Sequence, residues 1–154
     1  MKDAFGAAYY IKVAILFIAI FASMLAVALN YAKAFRIKNT IISYIEANDG
    51  LDDSLKQKID NYVAEMKYYV TNVNPGSETL ATYEAGYVFR DGECEERGYC
   101  IYHYSTDNSY TNTHEYRGDY YKVVTYIQIQ FPFFNVDVKI PVTGETRLVT
   151  NKHA

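Results

Sequence analysis

The chain has 154 residues and a formal net charge of −3, from 15 Lys and Arg against 18 Asp and Glu. That length leaves room for one small domain beside any membrane anchor. The balance is uneven: residues 1–38 hold five basic residues and Asp3, whereas residues 39–100 hold twelve acidic residues against five basic ones. Without a basic stripe in its polar part, the chain is not expected to bind nucleic acid.

Residues 1–12, MKDAFGAAYYIK, read as a short leader, with Tyr9 and Tyr10 placed for a membrane interface. Residues 13–32 follow, VAILFIAIFASMLAVALNYA, free of charge and bracketed by Lys12 and Lys33. A bilayer core of roughly 30 Å takes about 20 helical residues, so this stretch is expected to be a transmembrane helix. A cleaved secretory signal is the competing reading, but its apolar region would be shorter, roughly 7 to 15 residues. Within the span, Val13, Leu16 and Leu29 provide apolar contact surface. Ala22, Ser23 and Ala26 are small enough for a second helix to approach closely.

Past Lys33 the helical periodicity persists through Ala34, Ile37, Ile41, Ile42 and Ile45, with Lys33, Arg36, Lys38, Asn39 and Glu46 at other positions. A helical stalk over residues 33–50 is expected, closed by Asn48, Asp49 and Gly50. The remainder, residues 51–154, is expected to form an α+β head. Asp52, Asp53 and Ser54 open a second, amphipathic helix whose apolar stripe is Leu55, Ile59, Tyr62, Val63, Met66, Tyr69 and Val70, with a break at Asn72–Ser77.

From Glu78 the period changes to two. TLATYEAGYVFR and YCIYHYS flank DGECEERG as a hairpin, residues 106–119 form a polar loop, and YYKVVTYIQIQF is the strongest strand. Its faces separate Tyr121, Val123, Ile127, Ile129 and Phe131 from Lys122, Gln128 and Gln130. VDVKIPV and a last short strand in TGETRLV complete an antiparallel meander, which the amphipathic helices are available to cover. The 17 Tyr, 13 of them after Asn61, suit half-buried sheet surfaces and partner contacts alike.

Cys94 and Cys100 face each other across the hairpin if its turn lies at Glu95–Tyr99, and outside the cytoplasm such a pair oxidises. A metal reading would add His103, but C-x5-C lacks the tight cysteine spacing of structural zinc sites. His103, His114 and His153 have no nucleophile motif beside them, and no phosphate-binding or dinucleotide-binding glycine motif occurs. No catalytic residue, metal or cofactor is therefore expected. The basic residues after the span, Lys33, Arg36 and Lys38, would favour a cytoplasmic head. The cysteine pair favours an extracytoplasmic one, and the latter is the expectation taken forward.

The plan as a whole resembles type IV pilins, and more closely the TadE-like pilin-related proteins. The stretches that carry the likeness are Gly6 in the leader, FRIKNTIISYIEANDG after the span and YYKVVTYIQIQFPFFNVDVKIPVTGETRLV near the end. The resemblance implies processing between Gly6 and Ala7 and a non-catalytic minor pilin or pseudopilin. Its partners would be the membrane and other pilin-like subunits or pilus assembly proteins, in a homo- or hetero-oligomer. One departure stands out: the residue five positions after such a cut is Ile11, where pilins carry Glu. The alternative function is a membrane-tethered adhesion module that presents Tyr110, His114, Tyr116 and Tyr120 to a glycan or protein.

Overall fold

The computed structural model describes residues 2–71, 73, 87–106, 118–131 and 136–150, with the backbone alone at 2–8, 88, 106, 130, 131 and 136. Two helices, α1 (Lys2–Ala47) and α2 (Asp53–Glu65), precede four strands: β1 (Tyr87–Cys94), β2 (Tyr99–Thr106), β3 (Asp119–Phe131) and β4 (Val136–Glu145). The strands form one sheet in the order β1-β2-β3-β4, every neighbouring pair antiparallel, so the layout is α+β.

α1 is one unbroken helix of 46 residues, about 69 Å long at roughly 1.5 Å per residue. It already includes the leader, and it passes through Gly6 and Ala7 without interruption. Its two halves meet different surroundings. From Tyr9 to Tyr31 nearly every side chain is exposed, whereas Ala34, Ile37, Ile41 and Ile45 are completely buried. Residues 33–47 are therefore not a free stalk; they are the central rod of the head. The helix stops where Asp49 takes a left-handed conformation (φ 52°) and Gly50 N–H bonds back to the Ile45 carbonyl at 3.1 Å.

The same device ends α2 early. Asp52 caps its start by accepting from Leu55 N–H at 2.7 Å, but Lys67 turns left-handed (φ 50°) and Tyr68 N–H bonds to the Val63 carbonyl. The helix thus closes before the stripe expected through Tyr69 and Val70. The change of phase exchanges two neighbours: Tyr68 is 5% exposed and Tyr69 is 61% exposed, the reverse of the helical reading.

Both helices cover the same face of the sheet. Thr125 Oγ1 donates to the Ala34 carbonyl at 3.1 Å, and Tyr99 Oη donates to Asp60 Oδ1 at 2.8 Å. Lys38, expected on the polar side of α1, is instead buried at this interface. Its ammonium lies 4.4 Å from the Phe35 ring centre and 3.5 Å from the Thr143 carbonyl, so its stem packs while its charge stays satisfied. Opposite it, Gly144 lies inside β4 rather than at a turn. A Cβ there would come within 2.8 Å of Ile42 Cδ1 and 2.9 Å of Lys38 Cδ, so the glycine lets α1 approach the sheet. The short final strand expected in TGETRLV accordingly divides: Thr143–Glu145 continue β4, and Val149 makes an isolated bridge to Asp119.

Alternation sends a second set of side chains to the opposite face, where tyrosines dominate. Tyr104 stacks on Tyr120 at 4.8 Å, Tyr120 meets Tyr87 edge-on at 5.1 Å, and Phe89 meets Tyr104 at 5.7 Å. Tyr102, Tyr104, Tyr120, Val124 and Tyr126 are buried there. The middle of β3 is consequently buried on both sides; of the polar residues that alternation assigned to that face, Lys122 and Gln128 keep partial exposure, and the Gln130 side chain lies outside the described residues.

Candidate functional site

Three features carry what chemistry the described residues offer. The first is the bare half of α1. Starting from Tyr9, the helix is long and apolar enough to cross a membrane, and none of its most apolar 18-residue window is buried. Leu16, Leu25 and Leu29 are 60% to 63% exposed and Phe17, Phe21 and Met24 are each 67% exposed, surface that water would penalise and lipid would not. Val13, Ala22, Ser23 and Ala26 are also exposed, and Ser23 Oγ bonds to the Ala19 carbonyl of its own helix at 2.8 Å.

The head begins where this surface ends. Asn30 Nδ2 donates to the Gln128 carbonyl at 3.2 Å, the contact nearest the N-terminus between helix and sheet among the hydrogen bonds of the described residues. A cavity of about 210 Å³ lies at this junction, lined by Asn30 and Lys33 of α1, Lys67–Val70, and Tyr126 and Gln128 of β3. Tyr68 forms its inner wall. Its hydroxyl accepts from Tyr126 N–H at 2.7 Å and lies 2.9 Å and 3.0 Å from the carbonyls of Tyr126 and Gly98. β2 begins only at Tyr99, opposite Thr125, so from Tyr126 onward the β2 side of β3 has no strand of β2 beside it. The phenol supplies the missing partner. Burial pushes the Tyr68 hydroxyl pKa up to about 12.

The second feature is the hairpin tip. Cys94 and Cys100 are register partners and form a disulfide that closes β1 and β2 around Glu95–Tyr99. Gly98 (φ +88°) completes the turn, and Val70 N–H bonds to the Arg97 carbonyl at 3.1 Å, so the tip is tied to the segment after α2. Cysteines that are oxidised point to an oxidising compartment.

The third is a histidine between two carboxylates. His103 Nε2 lies 2.9 Å from Asp119 Oδ2, its Nδ1 lies 3.3 Å from Asp91 Oδ1, and its ring stacks on Tyr121 at 4.7 Å. A bulge between Phe89 and Asp91 brings Asp91 to this face. The adjoining cavity, about 40 Å³, has room for little beyond a water molecule, and its lining offers no Ser, Thr or Cys nucleophile. Around it Glu95 is held above the usual carboxylate range by burial and then by Asp60 and Glu93. The arrangement clamps β1 to β3 across β2. His103, considered from the sequence only beside the cysteines, faces Asp91 and Asp119 instead. Among the described residues no group of three or more His, Cys, Asp or Glu side chains is arranged so that it could hold a metal ion.

Of the loop residues expected to meet a partner, Tyr110, His114 and Tyr116 lie outside the described residues. Tyr120 lies in β3 and is 5% exposed against Tyr104 and Tyr87, so it is a packing residue and not a contact surface. Comparison with protein-family models, curated proteins and solved structures returns no match.

Proposed function

We propose that the protein is a non-catalytic, pilin-like subunit. It is held in the membrane by residues 13–32 and takes part in assembling a type IV-related pilus or secretion filament. One observation carries the reading: a single 46-residue helix is bare and apolar from Tyr9 to Tyr31, and beyond that it buries the stripe Ala34, Ile37, Ile41 and Ile45 completely against an antiparallel sheet. Such a helix is stable in lipid before assembly, and in an assembly it can exchange lipid for the same half of a neighbouring subunit, with Ala22, Ser23 and Ala26 allowing close approach. The Cys94–Cys100 disulfide supports a head on the outer, oxidising side of that membrane. The tethered adhesion module is the weaker reading, because Tyr120 is taken up by packing.

The test is intact mass and N-terminal sequencing of the protein from its native envelope, alkylated with and without reductant, followed by light scattering in mild detergent. A start at Ala7, thiols that react only after reduction, and an oligomer that Ala22→Leu/Ala26→Leu dissociates are the expected results. An intact Met1 with two reactive thiols and a monomeric chain would overturn the proposal.

A further inference from the structure

The cavity at the junction of helix and head has a composition that its position explains. Among its eight lining residues are two lysines, Lys33 and Lys67, two amides, Asn30 and Gln128, and no carboxylate. This is unusual in a head whose polar part is acidic. Lys139 reaches the same segment, where its ammonium bonds to the Thr71 carbonyl, and Asp137 is engaged by Gln128 Nε2 at 3.0 Å. At about 210 Å³ the cleft is many times the roughly 10–15 Å³ that a single water needs, so it has room for a phosphate group.

Depth decides what reaches it. Lys33 is the first charged residue after the uncharged run 13–32, whose 20 residues rise about 30 Å, the thickness of a bilayer core. With that run in the membrane, the mouth of the cleft lies at the level of the lipid headgroups. Tyr69 (61% exposed) is part of its lining, and Tyr31 (53%) is exposed at the same level of α1, side chains of the kind that settle at a membrane interface.

We propose that this cleft binds the phosphate of an anionic phospholipid, with Lys33 and Lys67 as its cationic partners, and so sets the height of the head on the bilayer. The proposal rests on the membrane anchoring of α1 but not on pilin-like assembly. Bound lipid would hold the head against the membrane at Asn30, whose side chain hydrogen-bonds α1 to β3.

The experiment is native mass spectrometry of the full chain in mild detergent with phosphatidylglycerol, phosphatidylcholine or inorganic phosphate added separately. Wild type, Lys33→Gln/Lys67→Asn and the control Lys56→Gln/Lys58→Gln are compared; Asn tolerates the left-handed backbone at 67. Wild type and control are expected to retain phosphatidylglycerol over phosphatidylcholine. The cleft variant should lose at least about tenfold in that retention, since each lysine near an anionic surface contributes about fivefold. Equal retention by the cleft variant, no preference over phosphatidylcholine, or inorganic phosphate binding as well as the lipid would each overturn the proposal. Circular dichroism of each variant confirms that the head is folded. Alkaline carbonate extraction of the chain from vesicles separates the two failures. A chain released by carbonate sinks the anchor and this proposal with it, whereas a chain that stays but shows no lipid preference sinks this proposal alone.

Discussion

Tyr68→Phe removes one oxygen atom from the centre of the head. The Tyr68 hydroxyl is the partner of Tyr126 N–H at 2.7 Å and sits within 3.0 Å of two carbonyls, Tyr126 and Gly98. A phenol has one proton and donates to one carbonyl at a time. Its loss leaves Tyr126 N–H buried without its partner, at a cost of about 1–3 kcal/mol, and forfeits a donated bond worth about 0.5–1.5 kcal/mol. The variant is therefore expected to be less stable by about 2–4 kcal/mol. For a head of roughly 100 residues, where 1 kcal/mol moves the midpoint by about 4–8 °C, Tm should fall by at least about 8 °C. The assay is thermal unfolding of the full chain in detergent, followed by near-ultraviolet circular dichroism of its tyrosines, since the chain has no Trp. Tyr69→Phe, at a position 61% exposed, is the matched control and should stay within about 0.5 kcal/mol. A Tyr68→Phe midpoint within about 3 °C of wild type would refute the argument that this phenol replaces the missing edge of β2.

Alkali should act on the same residue: its pKa is raised to about 12 when folded against 10 when unfolded. The stability it contributes is thus complete below pH 10 and lost as pH rises toward 12, at about 1.4 kcal/mol per unit. Burial raises the Tyr102 hydroxyl to about 12 as well, and burial with the Asp60 hydrogen bond raises Tyr99. Urea midpoints unchanged between pH 9 and 11.5 would contradict this. Ile41→Ala, at a fully buried position between helix and sheet, should cost about 2–5 kcal/mol in chemical denaturation, and a loss under 1 kcal/mol would mean that α1 is not the core of the head. Reducing Cys94–Cys100 opens a small loop and should lower stability by only about 2 kcal/mol, leaving the head folded; collapse of its circular dichroism on reduction would show a larger role. Gly98→Ala drives a Cβ into the Val70 carbonyl oxygen at φ +88° and should cost at least about 2 kcal/mol in the same assay, so a neutral result would refute the turn geometry.

Much of this architecture is legible in the chain because it follows from local periodicity. The uncharged run 13–32, the isoleucine stripe at 37, 41 and 45, the Asp52 cap and the alternation of β3 each depend on neighbours within a few residues. The hairpin spacing of Cys94 and Cys100 is equally local. The helix-to-head cleft was not legible: Asn30 and Lys33, Lys67, and Gln128 come from three distant parts of the chain, and each reads singly as an ordinary polar residue. Tyr68 was misplaced for a sharper reason. One residue in a left-handed conformation, Lys67, shifts the helical phase, and nothing in a lysine announces that backbone angle.

The sequence by itself determined that an apolar helix precedes an α+β head, since hydrophobic period and uncharged length are properties of the chain alone. Tertiary structure decided the rest. It made residues 33–47 the core of the head instead of a stalk, buried Lys38 and Tyr120, and set Gly144 against α1 as a close contact. Each of these depends on how closely two surfaces from distant parts of the chain can approach, and that distance is set only when the sheet closes on the helix.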